Sequence, residues 1–251
     1  MNHSAQVLLV TGGGRGIGAA TAALAGERGY SVCVNFREDA RSAEAVANRI
    51  RQHGVRALAV QGDVSKEADV LRLFEIVDRE LGRLTALVNN AGTLERQATL
   101  EEMDASRIHR VFATNAIGAM LCAKEAVRRM STRNGGPGGC IVNISSLASR
   151  FGSPNEYVDY AASKGAVDTF TVGLAKEVAS IGIRVNGVRP GFIHTQLHAS
   201  GGEPDRVERV KARTAMNRGG QPEEVARAIL WLLSDEASYV TGVLLDVAGG
   251  L

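Results

Sequence analysis

Val7 to Gly18 reads VLLVTGGGRGIG: four apolar residues, a threonine, then five glycines among the next seven positions. Glycine loses more backbone entropy on folding than any other residue, so a run this dense marks a place where the main chain must lie bare. The apolar run reads as a strand, and the alanine-rich stretch from Arg15 to Gly29 reads as a helix. A glycine turn between the first strand and the first helix is where a doubly wound α/β fold receives a pyrophosphate. The glycines let the backbone approach the phosphates, and the helix start offers free N–H groups and the positive end of its dipole. A mononucleotide P-loop needs Lys-Ser/Thr after the last glycine; Gly18 is followed by Ala19 and Ala20, which excludes it. The spacing Gly12-xxx-Gly16-x-Gly18, with Arg15 and Ile17 between, describes the loop better than GxGxxG.

The rest of the chain repeats the strand–helix alternation. Short β-branched runs at 7–12, 31–36, 56–63, 84–92, 140–146, 183–191 and 242–250 read as strands buried on both faces. Helical spacing fills 40–53, with Gly54 as its stop, and a stretch that follows Ser65, read as an N-cap, up to Gly82. Thr99 with Glu102 forms a capping-box signature. Long helices are expected at about 107–131 and 155–181, and one at Pro222–Ser234 opens on a proline at N1. The expected fold is α/β: a single-domain, doubly wound Rossmann fold spanning 1–251, its seven-stranded parallel sheet covered by helices on both faces. Only 192–220 breaks the rhythm, and a long irregular insertion of this kind reads as a substrate lid.

Bulk properties narrow the function. The 251 residues carry 29 basic and 27 acidic side chains, a net charge of +2, which gives no electrostatic footprint for nucleic acid. No run of apolar residues is long enough to cross a membrane, and the N-terminus MNHSAQVLLVTGG lacks the basic start of a signal peptide. Cys33, Cys122 and Cys140 are odd in number and far apart, which suggests buried thiols in a reducing compartment. A cytoplasmic location is expected. His194 and His198 are four apart, but no carboxylate or cysteine completes a metal set, so no metal site is expected.

The segment DYAASKGAVDTF, 159–170, places Tyr160 and Lys164 on one helical face, a turn apart. An ammonium beside a phenol favours the phenolate, and lowering a tyrosine pKa from about 10 towards 7 takes roughly 4 kcal/mol. The expectation is a Tyr160 pulled down, in a partly desolvated pair next to a cationic cofactor ring, to serve as general acid/base near neutral pH. Tyr157 has Ala161 at i+4 and lacks that partner.

Taken together, these motifs resemble the short-chain dehydrogenase/reductase family, in its branch of roughly 250 residues, over essentially the whole chain. The matching pieces are the glycine loop, Asp63 after the third strand, Asn89-Asn90-Ala91-Gly92 after the fourth, Asn115, Ser146, Tyr160-xxx-Lys164, and Pro190-Gly191 with Thr195. The resemblance implies an oxidoreductase moving a hydride between a nicotinamide cofactor and a small carbonyl or alcohol substrate. It implies Tyr160 as proton donor and acceptor, Lys164 as ribose ligand, Ser146 as orienter of the substrate oxygen, and Asn115 as holder of a proton-relay water. It selects Ser146 over the adjacent Ser145, although the interval to Tyr160 is one residue longer than in common members. Asp63-Val64 would contact adenine, Asn90-Ala91-Gly92 would pass beneath the adenosine ribose, and Ile193 and Thr195 would hold the carboxamide. Asn89 reads either as a cofactor contact or as a hydrogen bond within the end of the sheet.

An acidic residue at the end of the second strand reads a ribose hydroxyl, whereas an arginine there accommodates a 2′-phosphate. That position is Phe36, followed by Arg37, with Arg15 approaching from the glycine loop. NADP(H) is therefore preferred; Glu38 and Asp39 immediately afterwards keep NAD(H) possible. The alternatives are an NAD-linked alcohol or sugar dehydrogenase, and a catalytically silent cofactor sensor, which would be expected to lack part of the catalytic set. Similarity reaches both 3-oxoacyl carrier-protein reductases and glucose-dehydrogenase-like members. Trp231, Leu232 and Leu233 with the last strand match the part of the family that builds a homotetramer interface, and core packing explains them equally well.

Overall fold

The computed structural model describes residues 6–251, so the part of the N-terminal reading that falls on 1–5 lies outside the described residues. Seven strands form, β1 Val7–Val10, β2 Ser31–Phe36, β3 Ala57–Gln61, β4 Ala86–Asn89, β5 Gly139–Ile144, β6 Ile183–Pro190 and β7 Leu244–Val247. Between them run α1 Gly16–Glu27, α2 Ala40–Arg51, α3 Glu67–Glu80, α4 Ala105–Phe112, α5 Gly118–Met130, α6 Ala148–Phe151, α7 Val158–Val178, α8 Leu197–Ser200, α9 Arg206–Val210 and α10 Pro222–Leu233.

All strand pairs are parallel, in the order β3-β2-β1-β4-β5-β6-β7. The chain winds outward from β1 to β3, returns to lay β4 against the other side of β1, and then winds outward again. The order reverses between β1 and β4, and that switch point opens a crevice at the carboxyl ends of the strands. Side chains of β1 alternate across the sheet. Leu8 and Val10 pack with Ala22, Ala43, Ile50, Val225 and Ile229 of α1, α2 and α10. Val7 and Leu9 pack with Phe74, Cys122, Ala126 and Val178 of α3, α5 and α7 on the opposite face. Among the described residues no helix is long and apolar enough to cross a membrane. The three cysteines are buried free thiols, pushed by desolvation up to about 12 (Cys33, Cys122) and about 11 (Cys140), which leaves them inert near neutrality.

Local expectations fail in four places. The helix expected at 107–131 is split: α4 and α5 are joined by a π-turn, Ala113–Ile117, with Asn115 inside it. The Thr99–Glu102 capping box forms, but it closes only the 3-10 turn Leu100–Glu102; the cap of α4 is Asp104, whose carboxylate accepts from the Arg107 N–H at 2.6 Å. Ser65 does not cap α3, because its N–H and hydroxyl both donate to Asp63, at 3.0 and 2.7 Å. The segment 192–220, too short in its ordered pieces to show an apolar period, folds into α8, α9 and the 3-10 turn Lys211–Arg213.

Candidate active site

The glycine loop is built by close approach. Gly12 and Gly16 hold φ of +60° and +53°, a region L side chains rarely adopt. A Cβ on Gly18 would lie 2.4 Å from Asn90 Nδ2 and 2.5 Å from the Gly12 carbonyl oxygen, so α1 starts against the loop it follows. Arg15 is the N-cap of α1 and makes no side-chain cap bond, which leaves the first-turn N–H groups of a twelve-residue helix available to an anion. Asn90 braces the turn: Nδ2 donates to the Thr11 and Gly12 carbonyls at 3.0 and 2.9 Å, while the Thr11 hydroxyl accepts from the Asn90 and Ala91 N–H groups, both at 3.0 Å. Asn90 therefore spends its amide on the loop, and what it offers to the crevice is its position. Thr195 closes the other side, its Cγ2 within 3.2 Å of where a Gly16 Cβ would sit.

From this loop a cleft of ≈ 630 Å³ runs along the carboxyl ends of the strands. Gly12, Arg15, Gly16, Ile17, Phe36, Arg37, Asp63, Val64, Asn90, Ala91, Gly92, Ser146, Tyr160, Lys164, Pro190, Gly191, Ile193 and Thr195 all line it. Gly18 and Asn115 lie behind the wall rather than in it. Asn89 belongs to the sheet: its Nδ2 donates to the Ala119 carbonyl at 3.0 Å and to Asn143 Oδ1 at 2.9 Å.

At the far end of the cleft, α7 presents Tyr160 and Lys164. Lys164 is 3% exposed; its ammonium donates to the Ile144 carbonyl at 2.8 Å and sits 5.7 Å from the centre of the Tyr160 ring. Ser145 turns inward and donates to the Lys164 carbonyl at 3.2 Å, whereas Ser146 lines the cleft together with Tyr160, its hydroxyl oxygen accepting from the Ala148 N–H at 3.1 Å. Asn115 is buried, with Oδ1 accepting from the Thr93 N–H at 2.7 Å and Nδ2 donating to the Thr93 carbonyl at 3.0 Å and to Ser163 Oγ at 3.1 Å. Gly92 runs between Asn115 and Lys164: a Cβ there would lie 3.5 Å from both Asn115 Oδ1 and Lys164 Nζ.

Burial acts oppositely on the two titratable groups. It pushes the Tyr160 phenol up to about 12, against the weaker pull of the Ser146 hydroxyl, and drives the Lys164 ammonium down to about 8. In the protein alone, then, burial dominates the phenol, and the Lys164 ammonium is aimed at the Ile144 carbonyl. The expectation of a lowered Tyr160 concerns the pair beside a cationic ring.

At the second-strand corner, Phe36 ends β2 and Arg37 follows, its guanidinium 2.8 Å from Glu38 with both side chains largely exposed. Asp39 is held as the cap of α2 by the Ser42 N–H at 3.0 Å and hydroxyl at 2.6 Å. Asp63 accepts from Ser65 while its own N–H donates to Asp69 at 3.0 Å. Among the described residues no group of three or more His, Cys, Asp or Glu side chains could hold a metal; the His198 ring contacts the Ile193 carbonyl at 3.1 Å instead.

A family model described as enoyl-(acyl carrier protein) reductase matches residues 12–251. The uncharacterised oxidoreductase YgfF of Escherichia coli strain K12 is 59% identical over 97% of this chain and 99% of its own. The cis-4-hydroxycyclohexanecarboxylate dehydrogenase of Sinomonas cyclohexanicum is 42% identical over 98% and 96%. A crystal structure of a short-chain dehydrogenase/reductase from Mycobacterium marinum superposes with a TM-score of 0.91 at 33% identity, covering 98% of this chain and 95% of that one. The chain belongs to the short-chain dehydrogenase/reductase family.

It is accordingly an oxidoreductase, of a family that uses NAD(H) or NADP(H) on small molecules. The glycine cradle, the uncapped N-terminus of α1 and the buried lysine beside a phenol fit such a dinucleotide. Several residues that shape this site were missed in the sequence. Asn35 ties the glycine loop to β3: its Oδ1 accepts from the Gly12 N–H at 3.3 Å, and its Nδ2 donates to the Gly62 carbonyl at 3.0 Å. Arg107 and Asp159 form a buried pair that adjoins Tyr160. Buried polar residues in helices and strands were the only signal of either, and partners 23 and 52 residues away are invisible to local spacing.

Proposed function

We propose that the protein is an NADP(H)-dependent carbonyl/alcohol oxidoreductase in which Tyr160 handles the proton. The observation that carries this is the convergence of Tyr160, Ser146 and Lys164 on one end of a cleft whose other end is the glycine loop. A bound reduced nicotinamide supplies a hydride to the carbonyl carbon. Tyr160 gives its hydroxyl proton to the carbonyl oxygen, yielding the alcohol, and Ser146 donates a hydrogen bond to that oxygen as charge develops on it. A phenol held protonated by burial is in the right state for this donation. In the reverse direction Tyr160 would act as the phenolate and take the alcohol proton, a form that the positive charge of Lys164 favours. Lys164 binds the ribose hydroxyls. Asn115 spends its side chain on Thr93 and Ser163, so a relay water would be held by the backbone that the π-turn frees from the helical ladder.

The preference for NADP(H) rests on Arg15 and Arg37. Glu38 pairs with Arg37 at the surface, an arrangement worth about 0–1 kcal/mol. A dianionic 2′-phosphate competes with it readily, and Asp39 is committed to its cap. Glu38 at the cleft favours the second reading, an NAD-linked dehydrogenase. Separate calorimetric titrations with NADPH and NADH test the choice. The expected result is at least tenfold tighter NADPH binding; equal binding or an NADH preference contradicts it. The segment 192–220 acts as the substrate lid in this reading. Self-association as a homotetramer draws support from β7 as a sheet edge and from Trp231, 38% exposed on α10, which packs against β7. Light scattering at four chain masses is the expected result.

A further inference from the structure

Among the described residues, the substrate half of the cleft carries one arginine that no carboxylate side chain pairs with. Between 192 and 220 the chain holds four arginines and a lysine. Arg206 pairs with Glu156 and Glu203, and Arg209 with Glu203. Lys211 pairs with Glu208 and Arg218 with Glu224. Among the described residues Arg213 has no such partner. Only Arg206 and Arg213 of these five line the cleft. Glu156, a carboxylate side chain that lines that half, is taken by Arg206, which is itself 7% exposed and stacked 5.1 Å over the Tyr157 ring. Arg213 is held differently: its guanidinium lies 5.5 Å over the ring of Phe192, a residue two positions after Pro190 that also lines the cleft. Stacking of this kind fixes the plane of a guanidinium while leaving its N–H edge free.

We propose that Arg213 is a specificity residue that binds a carboxylate on the substrate, so that the physiological substrate is an oxo acid or hydroxy acid whose anionic end lies away from the reacting carbon. The proposal rests on the oxidoreductase reading given above. A planar fork with free N–H edges matches a carboxylate in bidentate fashion. The same fork would also accept a phosphate of the cofactor, and the experiment separates the two sources.

The probes are unbranched oxo acids from 4-oxopentanoate to 7-oxooctanoate, each with its methyl ester. Binding is measured by calorimetry on protein saturated with oxidised NADP, and reduction is followed separately with NADPH. In the wild type at least one acid binds tenfold or more tighter than its ester. Arg213→Gln abolishes that difference and Arg213→Lys keeps part of it. No acid in the series bound more tightly than its ester, or a preference that survives in Arg213→Gln, overturns the proposal. A loss of NADPH affinity in Arg213→Gln, with acid and ester bound alike in the wild type, assigns the guanidinium to the cofactor and also overturns it. Reduction of acid and ester alike with equal binding sinks Arg213 as a carboxylate reader and leaves the oxidoreductase reading standing. Tight, Arg213-dependent acid binding with no reduction of either does the opposite.

Discussion

Arg107 and Asp159 form a buried ion pair one residue before Tyr160, with the Arg107 Nε donating to Asp159 Oδ2 at 2.8 Å. Asp159 also accepts from the Tyr160 N–H at 2.8 Å, and Arg107 donates to the Arg96 carbonyl at 2.6 Å. The pair thereby joins the first turn of α7 to α4 and to the loop that carries Thr93 and Leu94 into the cleft. Removing one member of a buried pair costs about 3–5 kcal/mol because it strands the other charge. Arg107→Met is expected to lose stability of that order in urea melts, and Arg107→Met/Asp159→Leu to lose less than the single change. A double variant weaker than Arg107→Met contradicts the pairing argument.

Gly18→Ala tests the cradle. Its Cβ would fall 2.4 Å from Asn90 Nδ2 and 2.5 Å from the Gly12 carbonyl. Relief requires moving the loop or α1, at a cost of about 1–3 kcal/mol for an overpacked site. NADPH affinity measured by fluorescence titration is expected to fall at least tenfold. Retention of wild-type affinity would place the phosphates elsewhere.

Lys164 gives a pH test with a defined sign. Burial lowers its pKa from 10.5 to about 8, so from pH 8 upward the unfolded chain holds a proton that the folded chain has lost. Stability contributed by this group therefore rises with pH over that window, by about 2–3 kcal/mol between pH 8 and 10. The wild type should gain stability relative to Lys164→Met across that range in denaturant melts. A constant difference would mean that Lys164 is not desolvated.

The 2′-phosphate assignment is read from Arg37→Asp. One charge-assisted contact is worth roughly 1.5–3 kcal/mol, so NADPH affinity is expected to fall about 10- to 100-fold. NADH affinity should change by much less. Equal losses for both dinucleotides would remove Arg37 from the phosphate site.

Much of this architecture is legible in the sequence because its signals are local. Strand runs, the glycine turn, and Tyr160 with Lys164 depend on residues within a few positions of one another. Ser145 and Ser146 needed the family pattern to separate them, and the structure distinguishes them through the Lys164 carbonyl, nineteen residues on. The π-turn at Asn115 was not legible, because helical spacing reads straight through one extra residue per turn. The upward push of burial on the Tyr160 phenol is not legible either: proximity to Lys164 is written in the sequence, whereas desolvation depends on everything packed around both. The brace made by Asn35 and the pairing of Arg107 with Asp159 are long-range, and nothing in their own neighbourhoods announces them.

The central claim is that Tyr160 supplies the proton that accompanies hydride transfer. Its most direct test is NADPH consumption at 340 nm with a panel of ketones, comparing wild type with Tyr160→Phe at saturating cofactor. The wild type is expected to reduce at least one ketone, and Tyr160→Phe to do so about 10²- to 10⁴-fold more slowly, the range for loss of a general acid, while still binding NADPH. A Tyr160→Phe protein that reduces the ketone at the wild-type rate would contradict the account.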